Sequence, residues 1–203
     1  MGHSLSKFTL GVILAAVLAI SSLAATTIWQ IDPQHTAAGF SIKHLMISTV
    51  RGQFKSVTGT VVWDDQDINK STVDVTIDAN TADTSEPKRD ADLKSGNFFD
   101  VAHYPTITFK SKKIEQVSAG KIKITGDLTI HGVTKEVALN VEGPTGPVKD
   151  PWGNTRVAAS ATTRINRQDF GIKWDNKMDN GGLVVSNDVD ITIDLEMIKK
   201  EPK

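Results

Sequence analysis

The chain has no cysteine, one tyrosine, seven prolines and only 6% aromatic residues among its 203 positions. The missing thiol excludes disulfides, iron–sulfur clusters, zinc–thiolate sites, a cysteine nucleophile and a lipid-modified N-terminal Cys. Surplus charge is missing too: 23 Lys and Arg stand against 24 Asp and Glu, a net charge of −1. That balance leaves no electrostatic footprint for a nucleic-acid partner. It also leaves no basic amphipathic helix for a membrane surface. No G-x-S-x-G, P-loop or G-x-G-x-x-G motif is present. The histidines beyond His3 (His35, His44, His103 and His131) lack the close spacing of a zinc site.

Long hydrophobic runs are scarce as well. The one that stands out, Phe8 to Ile20, follows Lys7 and precedes Ser21-Ser22-Leu23-Ala24-Ala25. A short basic start, an apolar stretch and small residues make the order of a secretory signal peptide. The run is shorter than the ~20 residues a spanning helix needs. The expected organisation is therefore a signal peptide over 1–25, cleaved near Ala24 or Ala25, and a single domain over 26–203. No integral membrane segment is expected after cleavage, and the location is periplasmic or secreted.

What fills the rest is alternation. Ala38, Phe40, Ile42 and His44 share a face, as do Gly59, Val61 and Trp63, then Val73, Val75 and Ile77, then Ile107 and Phe109. Ile122, Ile124, Gly126, Leu128 and Ile130 oppose Lys121, Lys123, Thr125, Asp127 and Thr129, and His131-Gly132 turns the chain into Val137, Leu139 and Val141. Strands follow over 156–164 and 189–197, where Ile191 and Ile193 oppose Thr192 and Asp194. Period-two patterning predicts strands throughout. One short helix is predicted over 87–95, opened by Pro87. Pro144, Gly146, Pro147, Pro151 and Gly153 predict a long turn over 144–153.

Strands with one charged face and one apolar face need a shared interior, which a closed antiparallel barrel supplies. A two-sheet sandwich is the competing architecture. Charged outer faces exclude an outer-membrane barrel, whose polarity is the reverse. The inward rows, with Trp63 and either Trp152 or Trp174 near the ends, either fill the barrel or line a tunnel. An open tunnel would suit a long aliphatic or isoprenoid chain, since each buried methylene is worth ~0.8 kcal/mol. Arg89, Asp90 and Asp92 form a charged cluster on the helix, and Arg167 could pair with it or with an anionic head group. Such loop charges usually form solvated ion pairs worth little. The reading is of a protein that is not an enzyme. A secreted lipid-processing enzyme working at the barrel mouth, and a structural barrel with a filled core, stay as alternatives.

Several blocks together resemble the YceI-like family. They are Phe40-Ser41-Ile42-Lys43-His44-Leu45-Met46 with Val50-Arg51-Gly52-Gln53-Phe54, and Arg89-Asp90-Ala91-Asp92-Leu93 running into Phe98-Phe99-Asp100-Val101 and Tyr104-Pro105-Thr106-Ile107-Thr108-Phe109. Gly126 to Lys135 and Ile165 to Gly171 complete the set, in order, over about 27 to 197. The resemblance implies an all-β, eight-stranded, lipocalin-like antiparallel barrel with an apolar tunnel. It implies a bound polyisoprenoid, isoprenoid quinone or fatty-acid derivative, with no catalytic residue, metal or other cofactor. A homodimer is compatible with it. The expected lining is Phe40, Ile42, Phe54, Val61, Trp63, Val75, Ile77, Phe109, Ile124, Leu128, Leu139, Ile191 and Ile193. Phe98 and Phe99 are the expected gate, and His44, Arg89, Asp92, His103 and Arg167 the expected head-group residues.

Overall fold

A computed structural model describes residues 26–201, so the expected signal segment lies outside the described residues. The chain runs through β1 (Thr26–Ile31), β2 (Ala37–His44), β3 (Ser48–Phe54), β4 (Val57–Asp64), β5 (Thr72–Asp78) and β6 (Ala82–Asp83). It continues through α1 (Pro87–Lys94), β7 (Thr106–Ser118), β8 (Lys121–Ile130), β9 (Val133–Lys149), β10 (Thr155–Asn166) and β11 (Val185–Lys199). Neighbouring strands are antiparallel in the order β1-β4-β5-β7-β8-β9-β10-β11, and β1 returns to β11 with Trp29 opposite Lys199. That contact closes an eight-stranded barrel and excludes the sandwich.

The other three strands branch from the same ring. β11 is long enough to pair with β2 along its first part (Ile191 opposite Phe40) and with β1 at its end. β1 and β2 are thus two halves of one bent strand, as are β3 with β4 and β5 with β6. The bends lie side by side: Asp78 N–H donates to Ser56 C=O (3.0 Å), and Lys55 and Ser56 N–H both donate to Thr81 Oγ1 (3.1 and 3.3 Å). Beneath this corner Ile31, Val57 and Ala79 are almost wholly buried. The side chains there hold the fold where the ladder is interrupted.

Helix α1 buries no side chain and forms because its ends are satisfied. Pro87 opens it, the Glu86 carboxylate accepts from Lys88 N–H (3.1 Å), and Ser95 N–H closes on Asp92 C=O (3.0 Å). Asp90 ties it down by accepting from Thr84 N–H and Oγ1–H at 2.8 and 2.5 Å. It sits beside the β2–β3 end of the barrel.

One expectation is overturned. The segment 144–149 is not turn but the last part of β9, paired with β10 at Thr145–Ala158 and Val148–Arg156. Its prolines fall where the ladder shifts register, and there a missing N–H leaves no gap. The turn is confined to 150–154, where Asp150 accepts from Trp152 N–H, Asn154 N–H and Asn154 Nδ2 at 2.8–2.9 Å.

Candidate functional site

The inward rows do not meet at the barrel axis. They enclose a cavity of about 690 Å³ that reaches both ends. The space remains because β10 contributes small inward side chains, Ala159 and Ala161, between Val157 and Ile165. Strands of ten residues rise roughly 33 Å along their own line. With barrel tilt near 40°, that leaves roughly 25 Å along the axis. The wall is hydrocarbon for most of this length: Phe40, Ile42, Phe54, Val61, Val75, Ile77, Phe109, Ile124, Leu128, Leu139, Ile191 and Ile193 all line it. Trp63, Asp65, Pro144, Pro147 and Lys199 line one end.

The other end, under α1, is aromatic and polar. Phe40 and Phe54 rings lie 5.7 Å apart, Phe54 and Phe99 meet edge to face at 5.4 Å, and Phe98 stacks on Trp174 at 5.5 Å. His44, Arg89, Asp92 and Arg167 line the cavity here. Arg167 differs from the rest in being 4% exposed. Its Nε donates to Ser186 C=O (3.0 Å), its Nη1 to Ile172 C=O (2.8 Å) and its Nη2 to Asn187 Oδ1 (3.1 Å). No carboxylate among the described residues pairs with it; of the two partners the sequence offered, the Asp90 and Asp92 cluster is not engaged, and the anionic head group is untouched by this observation. Burial pushes the guanidinium down from its ordinary range, and the more distant Asp175 charge works the other way. A cation held only by neutral oxygens beside an apolar cavity favours an anionic or strongly accepting group arriving from the cavity.

One sequence-based placement is corrected, and one pair of alternatives is decided. His103 lies outside the cavity wall: its side chain is 75% exposed and its Nδ1 bonds the Asp100 carboxylate at 2.9 Å. The turn at 100–104 directs it to solvent, which no strand periodicity governs. Trp152 stands 80% exposed at the tip of the β9–β10 turn, while Trp174 takes a place in the wall. The α1 charges do not form a shared acid–base pair. Arg89 Nε and Nη2 bond Thr84 Oγ1 and C=O (2.7 and 3.0 Å), and Asp92 accepts from Asn97 Nδ2 (2.9 Å).

The wall also holds residues that the sequence reading did not single out. Trp29 and Ile31 follow the alternation of β1 and were recoverable from it. Thr84, Ile172 and Val184 come from bends and loops, where no period marks an inward side.

Asp32, His35 and Glu196 gather potential metal-ligand atoms at the β1–β2 bend. Arg156 Nη1 already bonds both carboxylates, at 2.6 Å to Asp32 and 2.5 Å to Glu196, so its guanidinium takes the place a cation would need.

Comparison with known proteins gives the same architecture. The profile of the YceI-like domain matches residues 29–197. A UPF0312 protein of Vibrio parahaemolyticus is 33% identical over 195 residues, covering 96% of this chain and 98% of its own. The crystal structure of a Campylobacter jejuni YCEI protein is 33% identical with a TM-score of 0.66, covering 78% of this chain and 90% of that one. A structure described as a polyisoprenoid-binding domain from Saccharophagus degradans aligns with a TM-score of 0.60 over 85% of this chain and 98% of that one. At 15% identity it speaks for the fold.

Proposed function

Because this chain belongs to the YceI-like domain family, we propose that it is a carrier that encloses one long-chain amphiphile inside its barrel. The observation that carries this reading is the cavity itself: about 690 Å³, walled by hydrocarbon, with a polar end under α1. A volume of this order takes a drug-sized or larger molecule. The elongated shape favours a chain over a compact ligand. The name of the Saccharophagus degradans domain supports a polyisoprenoid as the ligand class, and a quinone or fatty-acid derivative fits the same walls.

The chain lies in the apolar rows. Its head lies under α1, within reach of Arg167, His44 and the exposed Arg89 and Asp92. Phe98 and Phe99 cover that end. The protein acts by binding and needs no cofactor, metal or catalytic residue. The charged residues of α1 are engaged in fixing the helix, which favours binding over hydrolysis. The signal-like N-terminus supports a periplasmic or secreted location.

Native mass spectrometry of the protein from its own host, followed by organic extraction, tests this. An adduct that extracts as a polyprenyl, quinone or acyl species is expected. A protein that is free of lipid, and stays so when offered all three classes, would overturn the reading.

A further inference from the structure

The β2–β3 hairpin ends in an apolar tip. Ile47 is 84% exposed and Met46 53%, the most exposed large apolar pair adjacent in sequence among the described residues. Leu45 and Met46 carry φ of 50° and 61°, and Ile47 N–H closes the turn on His44 C=O at 3.2 Å. Turns of this shape are ordinarily made with Asn and Gly, since other side chains are strained there. Here the strained positions hold Leu and Met, and the tip is pushed outward as a hydrocarbon point.

That point stands at the mouth of the cavity. His44, immediately before it, lines the wall, and Leu45 N–H bonds Val184 C=O (2.8 Å), another wall residue. Behind the tip, the outward face of the hairpin carries Lys43 and Arg51. Lys43 lies opposite Thr49, and its Nζ bonds that hydroxyl (3.0 Å), while Arg51 is exposed opposite Ser41. Neither is in an ion pair among the described residues. The facing loop balances Lys173 and Lys177 against Asp175 and Asp179. On the adjacent β11, Asp190, opposite Ser41 and near Lys43, is paired with Arg164 at 2.6 Å, with Asp188 beside that pair. Among the described residues, the unpaired cations of this face are therefore those of the hairpin.

The geometry points to this tip as a docking element for an anionic lipid bilayer: Met46 and Ile47 enter the acyl boundary and Lys43 and Arg51 meet the head groups. The arrangement is that of an interfacial anchor, apolar point below and basic flank above. It sets the cavity mouth against the surface with which a lipid ligand is exchanged. The docking stands on its own residues, and only its purpose rests on the carrier reading. The opposite exposed tip, Trp152, suits an anionic surface less well. Even with Lys149 beside it, it is backed by the carboxylates of Asp32, Asp150 and Glu196 around one guanidinium.

The absence of cysteine makes a site-specific test direct. Ser48→Cys and Trp152→Cys are each labelled with an environment-sensitive fluorophore, in the protein as its host accumulates it. Each is then mixed with vesicles of phosphatidylethanolamine and phosphatidylglycerol. A blue shift at position 48 and none at 152 is expected. Met46→Glu with Ile47→Glu, both at exposed positions, abolishes the shift. Lys43→Gln with Arg51→Gln weakens binding to these vesicles about thirtyfold and leaves neutral phosphatidylcholine vesicles unaffected. A label at 48 that stays in water, or a shift at 152 instead, would overturn the docking element. Neither result alters the mass of an extracted lipid, so the failure of this inference is separable from that of the carrier reading.

Discussion

Arg156 Nη1 donates to Asp32 Oδ2 at 2.6 Å across 124 residues of chain. The bond ties β10 to the bend between β1 and β2, where the barrel closes. The same guanidinium reaches Asp150 through Nε (2.7 Å) and Glu196 through Nη1 (2.5 Å). One cation thus joins the seam, the β9–β10 turn and β11. Its side chain is 14% exposed and those of Asp32 and Asp150 are 8% and 7%, so removing it leaves two sheltered carboxylates without their cation, while Glu196, at 30%, keeps access to water.

Arg156→Met is expected to lower the stability of the fold, because it removes the one cation shared by Asp32, Asp150 and Glu196 and leaves the carboxylates to repel one another. Chemical denaturation at neutral pH measures it. Arg156→Lys, which keeps the charge but loses the fork, is expected to recover only part of the loss.

Acid stability should follow the same cluster. Burial pushes the Asp32 carboxyl up, but hydrogen bonds from Arg156, His35 and Gln34 N–H outweigh it and hold it at about 2, below 3.8. The Asp150 carboxyl is also lowered: burial opposes the shift, and bonds from Arg156 and Asn154 overcome it. A depressed carboxylate contributes stability that is fully present above its unfolded value and is lost as pH falls through its folded value. The unfolding free energy should therefore fall between about pH 4 and about pH 2. In Arg156→Met this acid limb should flatten while stability at neutral pH drops. An acid limb unchanged by the substitution would contradict the assignment.

Gly52 lies under the Phe40 ring, and a β-carbon there would overlap both that ring and the Thr84 methyl group. Gly52→Val is expected to cost about 1–3 kcal/mol, the ordinary range for overpacking. It should also disturb Thr84, on which both Arg89 and Asp90 depend. Thermal unfolding reads the first effect. Loss of lipid retention without loss of barrel circular dichroism reads the second.

Ile124 and Leu128 are inward positions of β8 in the cavity wall, with the inward Gly126 between them. Ile124→Phe with Leu128→Phe should narrow the tunnel and shorten the chains recovered by extraction. Leu128→Glu should remove binding from whatever fraction folds. His103→Ala, outside the wall, should change neither, and an effect there would bring His103 back into the site.

Arg167→Gln removes a buried guanidinium and leaves the Ser186 and Ile172 carbonyls short of donors, a loss of about 1–3 kcal/mol for each stranded group. Lipids with acidic heads should lose affinity more than neutral lipids of the same chain length. Equal losses for both would make Arg167 a structural residue only.

Much of this was legible in the residues. Alternation over 122–130 and 189–197 placed Ile124, Leu128, Ile191 and Ile193 inside, because a strand's period of two leaves no other arrangement once one face is charged. The helix at 87–94 was marked by Pro87 and by its polar composition. His103 was misplaced, and the choice between Trp152 and Trp174 was left open, because His103 and Trp152 sit in turns, whose course is set by local hydrogen bonds to Asp100 and Asp150 and not by a strand's period. The extension of β9 through Pro144 and Pro147 was hidden because proline marks turns in most contexts, and only the register shift opposite makes room for it.

By itself, the sequence determined most of the long strands, their inward rows, the absence of thiol chemistry and the family. Periodicity and composition act through near neighbours along the chain, and these properties are local. The tertiary structure decided that the barrel closes through β1 on β11, that Arg156 holds the seam, and that Ala159 and Ala161 leave a cavity open. Each depends on which distant segment lies opposite. A row of apolar residues reads the same in sequence whether the opposite wall touches it or stands a ligand's width away.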